Sequence, residues 1–169
     1  AHALAAIAHV ANGQTDRAEI ILNAIIELNT PFSAMAWAMY HQSQGDLSSA
    51  VTAASLLTTL APKAWESHYL LAQYLEEQRQ KRGANAFQID KILLSLTRSL
   101  GLGAIGSSRF WLQEATGGRL LDQKKYREAQ RIFDALRQEA SSSTYPHKAE
   151  ILARVSFKLG VITTHVGKY

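Results

Sequence analysis

Apolar residues recur along the chain at three- and four-residue steps, and glycine, proline or polar clusters interrupt them at short intervals. Steps of that size place side chains on one face of an α-helix, so the pattern predicts a succession of amphipathic helices. Leu4, Ile7, Ala8 and Ala11 predict a first helix over residues 1–12, which Asn12-Gly13 ends. A second, capped by Thr15 or Asp16, carries Ala18, Ile21, Leu22, Ile25, Ile26 and Leu28 and stops at Asn29-Thr30-Pro31. Ser33 is expected to cap a third, over 34–44, with Met35, Trp37, Ala38, Tyr40 and His41. Gly45-Asp46 turns the chain into a fourth, over 47–60, closed by Pro62.

The spacing then repeats. Gly13 to Gly45, Ala18 to Ala50 and Leu28 to Leu60 are each 32 residues apart. Self-similarity at a fixed period marks stacked hairpins, because one hairpin alone cannot bury its apolar face. The third unit is irregular. Trp65, His68, Tyr69, Leu71, Ala72 and Leu75 begin a helix that runs into the polar stretch 76–82, and Gly83-Ala84-Asn85 breaks it. Its partner, over 88–100, carries Ile89, Ile92, Leu93, Leu96 and Leu100. Ser107 or Ser108 is expected to cap a fourth pair, with Phe110, Trp111, Leu112, Ala115 and Leu120 before the turn 122–125 and Tyr126, Ala129, Ile132, Phe133 and Leu136 after it. Residues 141–144 read as a linker, and a last helix spans 146–164.

These units resemble the tetratricopeptide repeat, a helix pair of about 34 residues. Leu159-Gly160 and Gly117 match the family's small position on the first helix. Gly45-Asp46-Leu47 and Gly167-Lys168-Tyr169 match its turn, and Lys125-Tyr126 does so without the glycine. Ala18, Ala50 and Ala129 match the small residue of the second helix; Leu22 and Phe133 match the large one four later, and Ala54 does so weakly. Pro62 is a closing proline, with Pro31 one step late. The resemblance implies an all-α, right-handed α-solenoid of antiparallel helical hairpins. Its repeats fall at about 1–31, 33–62, 64–103 and 107–140, with a half repeat at 146–169. The spacing of 32 and the stretch 76–92 depart from the family's pattern.

Composition narrows the picture further. Hydrophobic residues make up 47% of 169 and charged residues 19%, enough to bury a core. Cysteine is absent, which removes disulfides and thiolate metal sites. The net charge of +4 is too small to imply nucleic acid by itself. No apolar run reaches the roughly 20 residues of a membrane helix, so a soluble chain is expected, in the cytoplasm or a periplasm. It opens with Ala-His-Ala and reads as a piece of a longer protein.

Candidate chemistry is sparse. Gly101, Gly103 and Gly106 spell G-x-G-x-x-G, but the preceding residues have helical spacing where a dinucleotide site needs a strand, so a helix end and a turn are expected. Six histidines are scattered, and His147 with Glu150 is only one candidate ligand pair where a metal needs three or four. The basic clusters at 79–82 and 124–131 alternate with acids and read as solvated faces. Trp37, Trp65, Trp111, Tyr69, Tyr74 and Phe157 mostly fall on core-facing stripes. No nucleophile, carboxylate pair or phosphate loop stands out, so neither enzyme nor cofactor is expected.

The resemblance also implies that the repeats' first helices line a concave groove for an extended peptide or partner helix. Met39, Gln42, Tyr69, Gln73, Trp111, Glu114, Arg154 and Phe157 map to groove-facing positions. The expectation is a protein-interaction module, the regulatory or scaffold part of a larger, bacterial protein. Two alternatives stay open: a small-molecule-sensing domain of a signalling protein or transcription regulator, and a helical-repeat RNA binder. Self-association through the C-terminal half repeat is expected as well.

Overall fold

The computed structural model describes residues 1–25, 29–82 and 86–166, and their side chains except those of 82, 86 and 87. Among these residues the regular structure is helical throughout. The helices are α1 (His2–Ala11), α2 (Thr15–Ala24), α3 (Pro31–Ser43), α4 (Leu47–Leu60), α5 (Trp65–Arg82), α6 (Ala86–Gly101), α7 (Gly106–Asp122), α8 (Tyr126–Ser142) and α9 (Lys148–Val166). The fold class is the expected one, an all-α repeat of helical hairpins. Ile26, Leu28, Gly83-Ala84-Asn85 and Gly167-Lys168-Tyr169 lie outside the described residues.

Several helix starts differ from those predicted. Pro31 opens α3 instead of closing α2. Thr30 is its N-cap and Ser33 the third helical residue, and each side chain takes the other's backbone N–H, at 3.1 and 3.0 Å. Proline suits a first helical position because its missing N–H would be unbonded there anyway. Gln14, not Thr15 or Asp16, precedes α2, and Ile105, not a serine, precedes α7. Part of the linker predicted at 141–144 is helix, and there the Ser141 and Ser142 hydroxyls bond back to the carbonyls of Arg137 and Gln138.

One turn recurs between helices. Gly13, Gly45 and Lys124 have φ of 72°, 76° and 58°. Their N–H groups donate to the carbonyls of Val10, Gln42 and Leu121 at 3.0, 2.9 and 2.9 Å. The next N–H in each case reaches His9, His41 or Leu120 at 2.8, 2.9 and 2.9 Å. This paired pattern satisfies the carbonyls left open at a helix end and requires one left-handed residue. Glycine adopts that conformation freely, whereas Lys124 does so against its Cβ.

The chain divides into two compact units, Ala1–Ser95 and Leu96–Tyr169. In the first, Ala6, Leu22, Ile25 and Ala36 form a buried cluster with Trp37 and Tyr40 against it. There α4 packs on both α3 and α5, burying Leu47, Ala50, Ala54 and Leu57. Ser67 Oγ donates to the carbonyls of Ala61 and Ala64, and His68 Nε2 lies 3.1 Å from that of Pro62, so buried polar groups fasten the turn before α5. In the second unit α8 packs on α7 and α9, and Ala129, Phe133, Leu136 and Ala140 are buried. A Cβ on Gly117 would lie 2.6–2.9 Å from the Phe133 ring, so α7 and α8 close at a point where only hydrogen fits.

Three outcomes follow from these contacts. Lys124→Gly should stabilise the protein by about 1 kcal/mol in denaturant titration, because the left-handed penalty disappears. Gly117→Ala should cost about 1–3 kcal/mol, the usual range for overpacking, and Phe133→Leu should recover part of it in the double variant. Tyr74, only 6% exposed, has its phenol pushed from 10.0 up to about 12, by burial first and by the Glu77 carboxylate second. Its folded-state pKa lies above the unfolded one, so its contribution is complete below pH 10 and is lost as pH rises towards 12. Tyr74→Phe should remove a component on the order of 2 kcal/mol from that alkaline fall in stability.

Candidate partner-binding site

The turns repeat, so the helices before them present equivalent residues. Superposing Gly45 on Lys124 sets Ala38 on Gly117 and Ala54 on Phe133, and also Phe32 on Trp111 and Met35 on Glu114. The predicted groove residues divide between the units, four in each.

In the first unit, Met39 and Gln42 are half-buried on α3, and Tyr69 and Gln73 half-buried on α5. Gln73 Nε2 donates to Tyr69 Oη at 2.7 Å. Gln42 Nε2 donates to Glu77 Oε2 at 3.3 Å, tying α3 to α5. Lys81 Nζ donates to the other oxygen of Glu77 at 2.9 Å. The Lys81 bond, assisted by Gln42, holds the Glu77 carboxyl below its usual 4.5 against the opposing effect of desolvation. Phe32, in the first turn of α3, is 55% exposed.

In the second unit, Arg154 of α9 forks onto Glu114 of α7, Nε to Oε1 at 2.8 Å and Nη2 to Oε2 at 3.0 Å. Its Nη1 also donates to Glu150. These bonds, the Glu114 fork above all, raise the guanidinium's pKa above its ordinary value. Trp111 is half-buried, and Phe157 is 69% exposed. The structure therefore joins Tyr69 to Gln73 and Glu114 to Arg154, while Gln42 meets a residue outside the predicted set.

Phe32, Glu77 and Glu150 adjoin the predicted residues but were not among them. Phe32 fell outside the helix predicted from Ala34, although its register with Trp111 was available in the sequence. Glu77 and Glu150 each stand four residues before a cation on their own helix, Lys81 and Arg154, and the bond from Gln42 to Glu77 depends on the packing of α3 and α5.

The remaining candidates have structural surroundings. Gly101 ends α6, Gly103 lies in the turn and Gly106 opens α7, so a helix precedes the motif where a dinucleotide site requires a strand. Among the described residues no group of three or more His, Asp or Glu side chains could hold a metal. His41 stacks on Trp37 and His165 on Tyr126, with ring centroids 5.3 and 5.2 Å apart. Arg79 pairs with Glu76, whereas Lys124, Lys125 and Arg127 line an open cleft of about 530 Å³ with Tyr126, Glu128 and His165. Trp37 and His41 border another of about 400 Å³, with Ser49, Thr52 and Leu56. No described helix is long and apolar enough to cross a membrane.

No protein-family model matches the chain, and no curated protein matches it either. Solved structures do. Pseudomonas aeruginosa pilF superposes with a TM-score of 0.69 at 16% identity, over 93% of this chain and 67% of that one. A Podosopora anserina protein designated a kinesin light chain, with nearly identical TPR-like repeats, superposes at 0.67 and 13% identity, over 99% of this chain and 86% of that one. A point variant of the latter gives 0.68 at 12% identity. At such identities the likeness concerns the fold, and the fold of this chain is that of a tetratricopeptide-like array of helical hairpins.

Proposed function

We propose that the chain is a protein-interaction module, the scaffold or regulatory part of a larger protein, with no chemistry of its own. It would hold an extended peptide or a partner helix in a concave groove formed by the first helices of its repeats. The observation that carries this reading is the large aromatic left in solvent on such a helix. Phe157 is 69% exposed, one helical turn from the Arg154–Glu114 fork. A large apolar side chain next to charged groups that are already positioned suits a binding hot spot with a polar rim. Tyr69, Gln73, Met39 and Gln42 offer a similar mixture in the first unit.

One further feature fits: solved structures of like fold include proteins with TPR-like repeats. The cleft beside Trp37 and His41 supports a second reading, the sensing of a small aromatic ligand, with the weaker argument that it is open and holds one indole.

A peptide display selection against the chain tests the first reading. Selected peptides should lose at least about tenfold in affinity, roughly the loss of one hot spot, on the Phe157→Ala variant. They should bind Ile20→Ala normally, since that exposed residue lies on a second helix. Equal binding to all three proteins would reject the groove.

A further inference from the structure

Glu150, Arg154, Phe157 and Val161 follow one another at helical steps and form one stripe along α9. Its charges do not balance. Among the described residues Arg154 is the cation paired with these carboxylates, and it serves two, Glu114 and Glu150. Glu114 has both oxygens on the guanidinium, while Glu150 contributes one oxygen and is 67% exposed. A guanidinium so occupied is not available to an acidic partner, and the cluster keeps one surplus negative charge.

Neither neighbouring lysine pairs with these carboxylates. Lys158 falls in helical register with Ile151, Val155 and Ile162, the face buried against α8. Lys148 Nζ turns to the carbonyl of Ser143 at 3.4 Å. The exposed ring of Phe157 therefore lies beside an anionic patch in a chain whose formal net charge is +4.

We propose, on the interaction reading above, that this stripe takes a partner segment pairing an apolar side chain with lysine or arginine. The apolar group covers Phe157 and the cation sits against Glu150. The complementarity is electrostatic at the carboxylate and extends to the ring, since a cation over an aromatic face gains further attraction. An acidic segment would meet Glu150 and Glu114 with no cation left to receive it.

The test uses the whole chain and two labelled amphipathic peptides, one of leucine and lysine and one of leucine and glutamate, followed by fluorescence anisotropy. The leucine–lysine peptide should bind, and added salt should weaken it. Glu150→Gln should reduce its affinity about threefold, as for one exposed ion pair, and Glu150→Lys about tenfold. Glu150 is exposed, so neither change threatens folding. Phe157→Ala should remove most of the binding. Undiminished affinity in Glu150→Lys, or tighter binding of the leucine–glutamate peptide, would overturn the charge assignment. If that tighter binding still required Phe157, the interaction reading would stand. If neither peptide's binding depended on Phe157, this face of α9 would be no partner site.

Discussion

Two helices of a hairpin can approach only as closely as the side chains between them allow, and this chain places almost nothing there. Ala6, Ala18, Ala38, Ala50, Ala54 and Ala129 are all fully buried. Gly117 goes further and leaves room only for the ring of Phe133. In register, Gly117 and Phe133 correspond to Ala38 and Ala54, so the two units fill equivalent positions differently. One uses a hydrogen and a phenyl ring, the other two methyl groups. Interiors are packed tightly enough for such exchanges to be felt, and a smaller residue at one position is matched by a larger one at the other.

The rest follows from keeping those close contacts in register. The left-handed turn at Gly13, Gly45 and Lys124 sets the second helix at the same point after the first, so a given face recurs in each hairpin. The faces turned inward are filled by alanine and branched apolar residues. Within each unit a polar bond links two helices, Gln42 to Glu77 in the first and Glu114 to Arg154 in the second. Exposed ion pairs contribute about 0–1 kcal/mol, so these bonds orient helices and side chains more than they stabilise the fold. Burial of α9 through Ile151, Val155 and Ile162 holds the helix, and Phe157 is left on another side of it.

Much of this was legible in the residues. Helical periodicity, glycine turns and the interval of 32 residues are local or nearly local signals, and helix propensity acts within a few residues of itself. They placed α4 at its observed ends and located the turns. Starts were harder, because several residue types can cap a helix and only geometry selects among them. Ser33 and Pro31 show this: both were read as boundary residues, and both lie inside α3, with Thr30 as the cap. Lys124 shows the opposite case, a turn that forms without its glycine because the two carbonyls behind it still need donors.

By itself the sequence determined the helices, their repetition and the small residues at which they close, since these depend on periodicity and steric size written into consecutive residues. Only the tertiary structure decided which polar groups meet. Arg154 could have paired along its own helix alone, and it reached Glu114 because α7 and α9 both pack on α8. Gln42 found Glu77 in the same way, through helices brought together by α4. The balance of charge around Phe157 belongs to that second kind of information. The pairing of Glu150 with Arg154 follows from their spacing of four, but the fork onto Glu114 joins side chains far apart in the chain, and no spacing along the sequence encodes it.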